Sequence, residues 1–192
     1  MQFVPLMNEE IQEIYKEEQF TIHAFPLDHG IRCYGFLIKE RPKQWRIRKE
    51  RLPEEILIQE IILLKKGQSV LEKDGSIKYD LNKYTLPPRK SRTYAYCSDT
   101  RYNDDILPYI KGVDVLYHEA TFGDEMADRA SATYHSTAKQ AATIAKKAEV
   151  GKLLLGHYST RYKDPMPLQV EARTIFHDTY LSIEGEKLTL EE

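Results

Sequence analysis

Cysteine is scarce in this chain, with only Cys33 and Cys97 among 192 residues. They lie far apart and each sits in an apolar run, so they make no metal motif by spacing. They read as two buried free thiols in a reducing compartment. Long apolar runs are missing too, none approaching the roughly 18 residues that span a bilayer. The opening MQFVPLMNEEIQEIY has no basic stretch followed by an apolar one, so it does not read as a secretory signal. There is no Gly-rich phosphate loop, dinucleotide fingerprint or GxSxG elbow, and Ser136 and Ser159 stand outside any such turn. HExxH is absent because His118-Glu119 is followed by Ala120-Thr121-Phe122, which sets aside a thermolysin-like site. Charge of one sign is not in excess either: 28 basic and 30 acidic residues give a net charge of −2. Overall charge therefore argues neither for nor against nucleic acid, and a local basic patch could still serve.

What is present suits one compact domain, or one carrying an excursion. Hydrophobic residues make up 41% and charged residues 30%, enough apolar material for a core. Strands are expected near 20–25, 33–38, 93–97, 113–117, 152–155, 180–183 and 187–190, the last two as a hairpin across Glu184-Gly185-Glu186. The turn-like PLDHG at 26–30 joins the first two. Helices are expected over 104–111, with Asn103 as cap, over 137–149, with Ala141, Ile144, Ala145 and Ala148 on one face, and over 168–176. Strand, helix, strand, helix, strand is an α/β pattern, and uninterrupted apolar strands such as DVLYH and KLLLGH suit a sheet covered by helices.

Residues 41–88 change character and read as an inserted arm between two core strands. The stretch Lys39–Arg51 reads KERPKQWRIRKER; 52–64 suits a short helix opening after Pro53, or a helix then a strand; the segment turns at Asp74-Gly75 and closes at Pro87-Pro88. Its basic run could contact phosphate or simply be a solvated face.

Ligand-capable residues recur where buried strands stop: Asp99 after YAYCS, His118 and Glu119 after DVLY, His157 after KLLLG. His29 sits between two strands and His135 just before a helix. Strand ends are where α/β folds build sites. Each residue also has an ordinary reading: Asp99 as a turn former, Glu119 as an acceptor for backbone N–H groups, His135 as a helix opener. His23, mid-strand, reads as structural, and His177 as surface or cap. Imidazole and carboxylate together are the set that binds zinc and related ions.

The motifs PLDH followed by GIRCYGF, SDTR, HEATF, HSTA and HYSTRY, in that order across 20–165, resemble ribonuclease Z. That family comprises tRNA 3′-processing endonucleases of the metallo-β-lactamase superfamily. The resemblance implies an αββα sandwich and two Zn(2+) per complete site. It implies His29 as a ligand of one metal, Asp99 as the bridging carboxylate and His157 as a ligand of the other. Glu119 and His135 would be the catalytic pair passing a proton to the leaving group, and Ser159 and Arg161 would contact substrate phosphate. In the arm, Lys43, Arg46, Arg48 and Lys49 would contact RNA. Precursor tRNA as substrate, a homodimer and a cytoplasmic setting complete the implied picture, with no membrane.

Two features depart from the family. Its HxHxDH signature is nowhere in these 192 residues, and the arm lacks the Gly-Pro-rich segment of many members. The expectation is therefore the C-terminal part of such a sandwich, with its isolated site weak for zinc and inactive, and the chain prone to self-association. Two other readings stay open: a non-catalytic RNA-binding or structural remnant of the fold, and a metal-dependent phosphodiesterase of the same superfamily.

Overall fold

The computed structural model describes residues 5, 6 and 9–190. Chain contacts divide it into two compact units, one running to Glu40 and resuming at Arg92, the other spanning Arg41–Ser91.

The larger unit begins with three antiparallel strands, β1 (Gln12–Lys16), β2 (Phe20–His29) and β3 (Ile31–Glu40). The smaller unit then follows with β4 (Arg46–Ile47), α1 (Ile58–Lys65), β5 (Val70–Leu71), β6 (Ile77–Tyr79), α2 (Leu81–Tyr84) and β7 (Thr85–Leu86). The larger unit resumes with β8 (Thr93–Cys97), α3 (Leu107–Ile110), β9 (Val115–Glu119), α4 (Ala127–Ala132), α5 (Ala138–Lys147), β10 (Lys152–Gly156), α6 (Met166–Arg173) and β11 (Thr179–Leu181). Its seven strands lie in the order β1-β2-β3-β8-β9-β10-β11. The pairings from β8 to β11 are parallel. No helix among the described residues is long and apolar enough to cross a membrane.

Strand alternation separates the two faces of this sheet. On one face Phe25, Leu37, Ala95, Cys97, Leu116, Leu153 and Leu155 are buried with Ala141, Ile144 and Ala145 of α5 and Leu168 of α6. Small alanines along α5 let that helix sit close to the strands. The helix starts where Thr137 accepts from the Gln140 N–H and Gln140 reaches back to the Thr137 N–H, a reciprocal cap. On the opposite face, the register aligns Phe36, Tyr96, Tyr117, Leu154 and Tyr180 in one cross-strand row. Tyr96 and Tyr117 stack there with centroids 4.6 Å apart. This row is apolar but only half-buried, and Tyr96 is exposed. A second sheet of a sandwich requires such a face.

Several expectations shift. β2 runs straight through Pro26-Leu27-Asp28 to His29, in register with β3, and only Gly30 makes the turn, with φ +69. Proline is tolerated because β1 pairs no further than Ala24, leaving that part of β2 with one neighbour. β9 starts at Val115 and includes His118 and Glu119 rather than ending before them. The expected strand at 187–190 does not form: the chain turns at Glu184-Gly185, where the Glu186 N–H reaches the Ile183 carbonyl, but no return pairing follows. Three-residue β11 offers it little to pair with. β1 escaped prediction because QEIYK is exposed at every position and shows no apolar alternation.

In the smaller unit, helix α1 begins at Ile58, beyond Pro53, with the Glu60 carboxylate accepting from the Leu57 N–H at 2.9 Å. Leu64, Val70, Tyr79 and Tyr84 form a small core of its own. The inserted segment is thus a folded unit with short strands that its charge run concealed.

Truncating Leu153, fully buried in the sheet, to Ala is expected to cost about 2–5 kcal/mol in urea unfolding. Val170→Ala on the exposed side of α6 should stay within about 0.5 kcal/mol. Equal losses would contradict this assignment of faces.

Candidate metal and proton-transfer site

The parallel register brings three strand ends to one edge of the sheet. Cys97 is level with His118, and Glu119 with Gly156. The turns that follow therefore present Asp99, Thr121 and His157 side by side. A bridge between Phe122 and Thr137 delivers the start of α5, with His135 before it, to the same edge. Ligand atoms of Asp99, Glu119, His135 and His157 all fall within 4.8 Å of one another, a grouping that fits one metal site.

Glu119 is the centre of the group and is fully buried. Its Oε1 accepts from the Thr100 N–H at 2.5 Å and lies 3.0 Å from His135 Nδ1. Its Oε2 accepts from the Thr121 hydroxyl at 2.6 Å and the Ser136 N–H at 3.0 Å. A carboxylate only accepts, so Nδ1 of His135 carries the proton and Nε2 faces away from Glu119. With both oxygens engaged, Glu119 is poorly placed to bind a metal despite its proximity. It orients His135.

Thr121 has one hydroxyl proton, and its shortest contact is to Glu119. Toward His157 Nδ1, 2.9 Å away, it accepts. The His157 Nε2 is thereby presented to Asp99 Oδ1, 3.1 Å distant. That contact is satisfied by a proton on Nε2 or, in its place, by a cation held between the two groups. With metal–ligand bonds of about 2.1 Å, two ligands of one ion stand close to this separation. The donor set thus fits a divalent ion, which Asp99 and His157 would hold. Both residues have positive φ, 59 and 56 respectively. That conformation costs a non-glycine residue about 1–2 kcal/mol, least for Asp and Asn, and is a mark of functional sites.

His29 lies beside this group, its ring centroid 5.0 Å from that of His135. Its Nδ1 donates to the Tyr134 carbonyl at 2.9 Å. Ser159 and Arg161 stand at the rim. Arg161 Nε donates to Ser159 Oγ at 3.2 Å and its guanidinium lies 5.5 Å over the Phe122 ring. In the smaller unit, Arg46 and Arg48 donate through Nε to the carbonyls of Pro87 and Thr85, so part of their donor capacity holds that unit together. Lys43 and Lys49 belong to the same basic stretch, and Lys49 is exposed.

Sequence reasoning missed Thr121, whose hydroxyl joins Glu119 to His157. Its signal was a hydroxyl residue two places after a strand-end glutamate. His118, despite its place in the same motif, turns to the helix-covered face and is buried. Burial pushes its pKa below the usual imidazole range, and its Nδ1 donates to the Glu119 carbonyl at 2.8 Å. His23 lies 3.9 Å from Glu13 across β1 and β2, and His177 is exposed.

Among solved structures, a metallo-beta-lactamase fold protein from Bacillus subtilis aligns with a TM-score of 0.55 at 20% identity, over 87% of this chain and 48% of that one. A long form RNase Z from yeast aligns at 0.54 and 18% identity, over 86% of this chain and 17% of that one. The fold is metallo-β-lactamase-like. No family model matches the chain. Ribonuclease Z of Cytophaga hutchinsonii is 50% identical over 185 residues, which is 96% of this chain and 59% of that protein. Ribonuclease Z of Parabacteroides distasonis is 40% identical over 178 residues, 92% of this chain and 58% of that protein. The chain thus spans a little under three-fifths of the length of these relatives. Homology and fold together point to the ribonuclease Z and metallo-β-lactamase superfamily.

Glu119→Ala would leave the N–H groups of Thr100 and Ser136, both fully buried, without their acceptor. At about 1–3 kcal/mol for each unsatisfied group, a loss of roughly 2–6 kcal/mol is expected. Asp99→Asn, at a partly exposed position that tolerates positive φ, should change stability by less than about 1 kcal/mol. Chemical denaturation of the two variants separates the carboxylate that braces the surrounding loops from the one that does not; a large loss in Asp99→Asn would contradict the assignment.

Proposed function

We propose that this chain supplies the proton-transfer pair and part of the metal-ligand set of an endoribonuclease that removes the 3′ trailer from precursor tRNA by phosphodiester hydrolysis. The observation carrying the reading is the division of labour in the four-residue cluster. Glu119 has both oxygens engaged by hydrogen bonds, one of them to His135, while Asp99 and His157 face each other 3.1 Å apart. The relatives called Ribonuclease Z support the substrate class.

In this reading Asp99, His157 and His29 would hold two zinc ions, with Asp99 shared between them. When bound, such ions offset charge at the phosphodiester and acidify water. The chain's own residues handle the leaving group. His135 protonated at Nε2 gives that proton to the departing 3′ oxygen, while its Nδ1–H stays on Glu119, which stabilises the imidazolium. The products are a 3′-hydroxyl RNA and a trailer with a 5′-phosphate. Ser159 and Arg161 contact the phosphate next to the cleaved bond. Lys43, Arg46, Arg48 and Lys49 of the arm contact the tRNA, and the working form is a cytoplasmic homodimer.

Asp99, His157 and His29 give each of two metals about two protein ligands, where zinc sites normally have three or four. The 192 residues alone are therefore expected to bind zinc substoichiometrically and to leave precursor tRNA intact. A chimera tests the function: this chain replaces the matching 185 residues of the Cytophaga hutchinsonii relative. The chimera should release the 3′ trailer. Asp99→Ala should abolish cleavage, and His135→Ala should slow it by about 10²–10⁴-fold. A chimera that hydrolyses only a small phosphodiester would favour the phosphodiesterase reading instead. One that binds tRNA without cutting it would favour a non-catalytic RNA-binding role.

A further inference from the structure

We propose that Asp28, Arg101 and Tyr134 form a latch that orients the His29 imidazole and presents its Nε2 to the site. The significance of this orientation rests on reading His29 as a metal ligand; the latch itself rests on geometry alone.

The carbonyl of Tyr134 can only accept, so the 2.9 Å contact places a proton on Nδ1 of His29 and leaves the Nε2 lone pair as the free valence of the neutral ring. What aims that carbonyl is the conformation of Tyr134, which has φ 58 at the end of α4. The helix end supports this conformation, with the His135 N–H on the Ala130 carbonyl at 2.8 Å and the Tyr134 N–H on the Ser131 carbonyl at 3.2 Å. Two contacts hold its ring. The Arg101 guanidinium lies 4.8 Å from the ring centroid, a cation–π distance. On the hairpin side the ring lies so close to Gly30 that a Cβ there would stand 3.1 Å from it.

Arg101 is held in turn by Asp28. Its Nε donates to Asp28 Oδ2 at 2.6 Å, and its backbone N–H to the Asp28 carbonyl at 2.9 Å. The Asp28 N–H completes the stitch to Thr100 Oγ1 at 3.3 Å.

The placement along the chain is what makes this a positioning device. Asp28 precedes His29, Arg101 follows Asp99 by two residues, and Tyr134 precedes His135. The latch therefore ties three site-bearing segments, the end of β2 and two loops, together without using the side chains of Asp99, His135 or His157. A partly exposed ion pair on its own stabilises little. Its work here is orientation, since a ligating histidine needs its second nitrogen fixed by a hydrogen bond.

The test reads the ring directly. Long-range ¹H–¹⁵N spectra of the metal-free 192-residue chain, at a pH where the imidazole is neutral, report which nitrogen of His29 is protonated. The wild type should show the Nδ1–H tautomer. Arg101→Ala and Tyr134→Gly, the second keeping a residue at ease with positive φ, should each give a tautomer mixture. Tyr134→Phe, which keeps ring and carbonyl, should match the wild type. Zinc titrated alone by calorimetry into the chimera should bind about tenfold more weakly in Arg101→Ala. Wild-type His29 spectra in both Arg101→Ala and Tyr134→Gly would overturn the latch. His29→Ala in the same titration separates the two ideas: unchanged zinc affinity would overturn His29 as a ligand, while the tautomer spectra would still decide the latch.

Discussion

A buried carboxylate must have each oxygen answered by a donor, and Glu119 meets that demand with four groups drawn from three separate stretches of chain. The Thr100 N–H comes from the turn after β8, the Thr121 hydroxyl from the turn after β9, and His135 and the Ser136 N–H from the approach to α5. Thr121 extends the network to the turn after β10 through His157. Unmet donors around a buried charge are costly, so these loops are constrained as a set. The positions of Asp99, His135 and His157 follow from that constraint.

The network also explains why strain is concentrated where it is. Asp99, Tyr134 and His157 adopt positive φ in these loops. Each is next to, or part of, a contact that fixes a side chain at the site: Asp99 against His157, His157 against Thr121, and the Tyr134 carbonyl against His29. The hydrogen bonds to Glu119 and the register of the parallel strands offset what such conformations cost. The helix-covered face of the sheet, with its small alanines on α5 and fully buried leucines, supplies a stiff base for them. On the other face the row from Phe36 to Tyr180 remains only half-buried, in keeping with a sandwich fold and with relatives longer than this chain.

Histidine position illustrates how closely role depends on which way a strand residue points. His118 and Glu119 are neighbours on β9, yet alternation sends His118 into the apolar core and Glu119 to the site. His118 is held neutral by burial, whereas His135, 16 positions from Glu119 in sequence, meets its carboxylate. Adjacent residues thus diverge, and distant ones converge.

The sequence by itself determined the α/β class and the strands at 93–97 and 152–155, because continuous apolar runs stop abruptly at polar residues. It also determined helix α5, because Thr137 and Gln140 cap it and its alanines keep a helical period. It marked Asp99, Glu119, His135 and His157 as candidates through their places at element ends. That both oxygens of Glu119 are engaged by hydrogen bonds emerges only in the folded chain, since the donors come from three separate stretches. Only the tertiary structure decided that Thr121, Arg101 and Tyr134 matter, since their partners lie far away in the chain. It also decided that PLDH is strand rather than loop, and that the arm folds around a core of its own. Local propensity is written in short stretches of sequence; hydrogen-bond saturation, side-chain direction at strand ends and tautomer choice arise only when distant segments share one dry space.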